Sequence, residues 1–381
     1  MRRMYALLTS LALLIVGVVL GFIGFRLKEV GEIAWGFLVP GYMFFAMTAA
    51  GAALVTLAPS LFGFSGKEGE LRSLRKLALW FAAGTLIPSW FLILLDLSRP
   101  PEFVEIFLSF NPSSRIAWMG VLYLTTFIVL VVELIYAIVK EERGEGVQGK
   151  ALGGIILTIV GTIVELLLIS NLSQVFGVVQ TFPAWHGSYL VAIFIAASLL
   201  LGSAGMSLFG AMAMRGREKE RSFLASYYGK MLIASSMALV LLLFWDFLSA
   251  YYTPEAWASL SRMVNGSYAL SFWFAVVLGL VAAPLLAGIA SKRRSISALA
   301  FSSALSLIFG IMLLYLIIVV PQTVYFDVIP EVTIINSYSV GTGEALIGLG
   351  GALIWAALIA LGYYLLPLMP EERARKLFIF K

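Results

Sequence analysis

The chain has 381 residues, of which 61% are hydrophobic and 12% charged, with a mean hydropathy of +0.98 and a formal net charge of +5. These proportions exclude a soluble domain. The absence of cysteine and the presence of one histidine, His186, exclude a thiolate-held iron–sulfur cluster, a disulfide, and a haem held between two histidines of this chain.

A membrane span needs roughly 20 apolar residues to cross about 30 Å of hydrocarbon. Ten stretches meet that length, at about 5–25, 36–58, 77–97, 116–139, 151–172, 188–214, 227–249, 268–290, 296–320 and 346–366. Alternating strands of a membrane barrel are absent, so the sequence predicts an all-α integral membrane protein. The first stretch follows Met-Arg-Arg but lacks a small-residue cleavage site and is long enough to span, so it reads as a helix rather than a leader.

Loop charge sets the orientation. Of the 26 lysines and arginines, 21 fall in the N-terminal pair Arg2–Arg3 and the segments 60–76, 140–150, 215–230, 291–295 and 371–381. The five others lie in the alternate loops, 26–35, 98–115 and 250–267. This bias places both termini in the cytoplasm of a multi-pass cytoplasmic-membrane protein. It also accounts for the positive charge without any nucleic-acid partner.

The second stretch, AWGFLVPGYMFFAMTAAGA from Ala34, resembles the sixth, AWHGSYLVAIFIAASLLLGSA from Ala184. An offset of 150 residues sets Trp35 on Trp185, Phe44 on Phe194 and Asp96 on Asp246. The expected organisation is a first flanking helix (1–34), two parallel four-helix bundles (35–183, helices 2–5, and 184–345, helices 6–9), and a last flanking helix with its tail (346–381). Small-residue runs at 48–52, 202–205 and 348–352 suit packing seams.

Polar chemistry gathers at the outer face. Asp96 and Asp246 end outward-running helices, Glu32 and Glu344 begin inward-running ones, and His186 stands at the outer start of the sixth. Phe103, Ile106, Phe107 and Phe110 have the spacing of a short interfacial helix. Asp96 and Arg99 lie three apart where the third helix ends, with Asn111 beyond a proline-rich break. A plain structural reading pairs Asp96 with Arg99 and turns Arg99 and Asn111 on freed carbonyls. The functional reading is a pocket for a molecule with a polar head and an apolar tail, such as a quinone, whose reduction needs titratable groups nearby. No cation lies within the spans that hold Glu133 and Glu165, although another helix could supply one. Intramembrane acids are costly and functional candidates by default. They read either as a proton relay running inward from Asp96, with Asp246 and Glu344 as outer-face members, or as glue between helices.

The runs WGFLVPGYMFFAMTAAGA (35–52), LDLSRP (95–100), FNPSSRIAWMG (110–120) and TFPAWH (181–186) resemble the NrfD/PsrC family, the membrane subunits of polysulfide-reductase-like respiratory enzymes. The resemblance covers most of helices 2–6. It implies two four-helix bundles, no haem or iron–sulfur cluster in this chain, and a quinone site near the outer face, with a menaquinone-type quinone expected. It also implies a ferredoxin-like iron–sulfur subunit docked over that face and a molybdopterin catalytic subunit beyond it. Asp96 and Arg99 match the acid and arginine of the family's LDLGRP run, and Asn111 and Trp118 match its NP…SW run. Where some members carry Asn and His as quinone ligands, this chain has GEIAWG, which leaves Glu32, Trp35, Tyr42 and, from the other bundle, Trp185 and His186 as candidates. The expected function is a quinone-interacting membrane subunit of a multi-subunit oxidoreductase, with proton translocation as an added option. The alternatives are an ion- or solute-coupled secondary transporter and a purely structural anchor.

Overall fold

In hydrocarbon no water can satisfy a backbone N–H or C=O, so a lipid-exposed chain must close its hydrogen bonds within each span. The computed structural model, which describes residues 2–29, 33–62, 68–142, 152–187, 189–327 and 332–369, meets this demand with ten helices long and apolar enough to cross a membrane. The helices in order are α1 (Arg2–Leu27), α2 (Leu38–Leu57), α3 (Glu68–Asp96), a short α4 (Glu105–Leu108), α5 (Arg115–Glu142), α6 (Leu152–Gly177), α7 (Leu190–Ala213) and α8 (Glu218–Tyr251). An interfacial α9 (Pro254–Val264) follows, then α10 (Ala269–Phe274), which runs through a π-helical stretch, Ala275–Ala282, into α11 (Ala283–Arg293) as one span. The last spans are α12 (Ile296–Val319) and α13 (Thr342–Leu365). All ten expected stretches are found.

The packing order repeats. In one bundle α2 packs on α3, α3 on α5, α5 on α6, and α6 back on α2; in the other α7, α8, α11 and α12 close the same circuit. The bundles meet through α2 and α7, while α1 packs on α13, which rests on α3. Every residue of α2 is buried, as expected for a helix apolar all round with neighbours on every side.

Two glycine seams permit these close approaches. Along α1 and α13, Gly17 faces the Gly350 carbonyl and Gly24 the Gly343 carbonyl, where an added Cβ would stand 2.7 and 2.5 Å away. Between the bundles, a Cβ on Gly51 would collide with the Ser198 carbonyl, and one on Gly202 with the backbone of Gly51 and Ala52. Buried hydroxyls turn onto carbonyls one turn back, as Thr48 does on Phe44 (2.6 Å) and Thr85 on Phe81 (2.6 Å).

Two features depart from the sequence expectation. The segment after α12 holds an antiparallel strand pair, β1 (Val324–Asp327) with β2 (Val332–Ile335), in the register Val324↔Ile335. Its strands are too short to show a period. Arg75 and Lys76, expected in a basic loop, are instead buried within α3. Their charges are answered by partners on other helices, so they do not behave as loop cations.

Candidate functional site

The face at which α3 ends, the Asp96 face, carries a cavity of about 580 Å³. Three helix ends build it: the C-terminus of α1, the C-terminus of α3 and the N-terminus of α13. Its polar lining is Lys28, Glu29, Asp96, Ser98, Tyr338 and Glu344, and Phe25 and Ile33 contribute apolar wall. The family-matched acid therefore does open on a pocket, but its partner differs from the plain structural reading.

Lys28, just beyond α1, places its ammonium 2.7 Å from Asp96 Oδ1 and 2.6 Å from the Asp96 carbonyl oxygen. One cation thus answers both a side-chain carboxylate and the negative end of the α3 dipole. Arg99 turns away: it is exposed and bonds Glu102 at 3.0 Å. Asn111 is exposed too, its Oδ1 accepting from the Ser113 N–H at 2.9 Å in a local turn. Trp118 donates to the Pro112 carbonyl at 2.9 Å. The family's arginine and asparagine positions hence shape the loop after α3 and do not line the Asp96 cavity.

On the opposite wall Glu344, in the first turn of α13, gathers three donors. The Tyr338 hydroxyl donates to Oε2 (2.5 Å), the Gly341 N–H to Oε2 (3.1 Å) and the Phe37 N–H to Oε1 (3.2 Å). The Tyr338 oxygen in turn accepts from the Phe37 N–H at 2.6 Å. Burial, reinforced by the hydrogen bond to Glu344, holds the Tyr338 phenol well above its ordinary value. It stays a hydrogen donor across the neutral range.

Behind this cavity lies an aromatic wall. Trp35 stacks on Trp185 with ring centroids 5.4 Å apart, and Phe176 meets both edge-on. The buried Gln322 amide clamps the Trp35 backbone in both directions: its Oε1 accepts from the Trp35 N–H and its Nε2 donates to the Trp35 carbonyl, each at 2.9 Å. Trp185 donates to the Ile317 carbonyl at 2.9 Å. Trp35 and Trp185 are thus brought together, whereas His186 is exposed and bonds the Val179 carbonyl at 2.7 Å, away from the cavity. Tyr42 is buried one layer deeper, its hydroxyl 3.7 Å from Met119 Sδ. Asp246 belongs to the other bundle, beside Gly187. Glu32 lies outside the described residues.

The intramembrane acids sit in the first bundle. Arg75 reaches from α3 to Glu133 on α5 at 3.0 Å and to Thr158 on α6 at 2.9 Å. The cation absent from the apolar span around Glu133 is therefore supplied by a neighbouring helix. Glu165 is buried on α6 and makes no hydrogen bond among the described residues. Lys76 pairs with Glu141 at 2.7 Å and also holds the Pro367 and Met369 carbonyls. Lys28, Tyr338, Gln322 and Arg75 were not singled out from sequence. A lysine among so few outer-loop cations was the one available signal.

The arrangement is that of a multi-pass membrane protein with a polar, half-open cavity at one end of its bundles. The chain matches the family model "Polysulphide reductase, NrfD" over residues 27–325 and belongs to that family. With it, the chain takes its place among the membrane subunits of respiratory oxidoreductases. It is similar to one of the subunits of selenate reductase from Mesobacillus selenatarsenatis, 25% identical over 330 residues that span 77% of this chain and 75% of the relative.

Proposed function

We propose that the chain is the quinone-reactive subunit of a multi-subunit respiratory complex, binding a menaquinone-type quinone in the Asp96 cavity. Electrons would pass between that quinone and a ferredoxin-like iron–sulfur subunit docked on the same face, with a molybdopterin subunit beyond. The loop-charge bias makes this the outer face of the cytoplasmic membrane and leaves both termini in the cytoplasm.

The observation that carries the reading is the convergence of Lys28, Asp96, Tyr338 and Glu344 on one cavity at a membrane surface. Its volume of about 580 Å³ lies within the usual range for small-molecule sites. A bound quinone would supply two-electron, two-proton redox chemistry. The residues supply the rest. An ammonium has three N–H donors, and Lys28 uses two of its directions on Asp96, leaving one for a ligand carbonyl. Asp96 can accept or return a proton at Oδ1 or Oδ2, and the Tyr338–Glu344 pair offers a second proton store on the facing wall. Phe25, Ile33 and Leu97 supply apolar wall, and the Trp35–Trp185 stack lies behind the lining residues Ala34 and Gly36.

The geometry favours a proton route in the first bundle, because Glu133, Glu165, Arg75 and Glu141 all belong to it. Asp246, in the second bundle, and Glu344, at the cavity, would serve as surface acids of the relay. The direct test is purification of the intact complex from its native membrane. A cysteine-rich subunit should accompany the chain, and Lys28→Met should slow quinol-linked turnover while dye reduction by the partner persists. Isolation of the chain without any redox partner, under conditions that preserve turnover, would end the proposal.

A further inference from the structure

The opposite membrane face holds a second cavity that the quinone reading does not use. It occupies about 560 Å³ where α3, α7 and α13 meet, at the join of the two bundles and the last flanking helix. Its floor is aromatic: Phe81 stacks on Phe209 with centroids 5.6 Å apart, and Trp355 meets Phe81 at 6.0 Å. Its side wall carries Met212 and Ala356, both exposed, so the slot opens laterally toward lipid. From Gly205 to Ala213 it follows α7 for about 12 Å at 1.5 Å per residue. An occupant must therefore arrive from the bilayer and be elongated and apolar.

The rim at the far end from Asp96 is polar and basic. Arg215 lines it and is exposed. Tyr364 lines it as well, and its carbonyl accepts from the Arg3 guanidinium at 2.6 Å. Among the described residues neither Arg215 nor Arg3 has an acidic partner. Two such guanidinium groups at one end of an apolar, lipid-facing slot match one chemistry: a negatively charged head on a hydrocarbon tail. Basic pockets between membrane helices recognise anionic headgroups in this way, and a guanidinium suits a phosphate through paired N–H donors.

We propose that this slot is a binding site for an anionic phospholipid, with an acyl chain along Phe81, Phe209 and Trp355 and the phosphate at Arg215. A neutral quinone would fill the apolar part equally well but would leave the cations unanswered. The bound lipid would fasten α13 to both bundles from the side.

The test is native mass spectrometry of the full chain, in its complex, released from nanodiscs of equal phosphatidylglycerol and phosphatidylethanolamine. The wild type should retain one phosphatidylglycerol in preference to phosphatidylethanolamine. Arg215→Gln should lower that retention by about fivefold, the worth of one basic side chain at an anionic surface, while Arg215→Lys keeps most of it. Ala360→Phe, which fills the slot without touching the cations, should displace both lipids. No headgroup preference in the wild type, or a preference that survives Arg215→Gln unchanged, would overturn the proposal.

Discussion

Trp35 and Trp185, 150 positions apart in the chain, lie against one another with their ring planes inclined by 29°. The same offset relates the helices that follow them, so the stack sits where two similar bundles meet. It also places the first residues of each bundle directly behind the cavity that holds Asp96. The stack backs the cavity through Ala34 and Gly36, which flank Trp35 and line it.

Gln322 is the fastening. Gln322→Leu strips the Trp35 N–H and carbonyl of their partners, and an unsatisfied buried polar group costs about 1–3 kcal/mol. Thermal unfolding of the purified protein should shift down accordingly, and quinol-linked turnover should fall with it. Unchanged turnover at lowered stability would separate the Trp35 stack from the cavity's work.

Asp96→Asn keeps the shape of the pocket and removes the charge that faces Lys28. Loss of a charge-assisted hydrogen bond is worth about 1.5–3 kcal/mol, which corresponds to about ten- to a hundredfold in rate. That deficit should appear in steady-state quinol-linked assays and be absent when an artificial dye reduces the partner directly. Arg99→Gln, by contrast, should be nearly silent, because its side chain is exposed and, among the described residues, bonds Glu102 alone.

The buried Arg75–Glu133 pair makes a different demand. Removing one member strands the other, at a cost of about 3–5 kcal/mol. Arg75→Met should therefore destabilise the protein strongly in detergent melts, and the double change Arg75→Met with Glu133→Leu should recover much of the loss. Glu133→Gln and Glu165→Gln should also alter the sidedness of proton uptake in proteoliposomes if these acids conduct. Intact sidedness would mark them as glue.

Tyr338 gives a pH signature. Its folded value is raised above the ordinary one, about 10, so the folded state holds the proton more tightly. The stability it contributes is present in full below pH about 10 and drains away as pH rises beyond that. Melting temperature of the wild type should fall across that alkaline range more steeply than that of Tyr338→Phe.

The seam between bundles has little slack. Gly202→Ala would drive a methyl group into the α2 backbone, and overpacking of this kind costs about 1–3 kcal/mol. Reduced yield of folded protein and a lowered melting point are expected, with the equivalent change at Gly51 acting through the same contact.

The ten spans were legible because length and apolarity are properties of the chain itself, and the offset between Ala34 and Ala184 exposed the two-bundle plan. The seams were legible as runs of small residues. The cavity was only half legible. Asp96 stood out by its place at a helix end, but its partner comes from the end of α1, 68 positions away, and no local spacing reveals a lysine that folds back on another helix. Arg99 and Asn111 looked like site residues because they are close in sequence, yet the turn after α3 points them to solvent. Arg75 and Lys76 were hidden inside a cluster of loop charges. Only the approach of α5, α6 and the segment after α13 explains why they are buried.

The repeat is chemically lopsided. At the offset of 150, Arg75 corresponds to Ala225 and Glu133 to Ala283, and helices α7 and α12 carry no Asp, Glu, Lys, Arg or His at all. In their place the second half buries hydroxyls such as Ser203, Ser236, Ser303 and Ser306. One half of the repeat thus buries ionisable groups deep within its helices, and the matching positions of the other half are filled by alanine, so two halves alike in packing differ in their electrostatics.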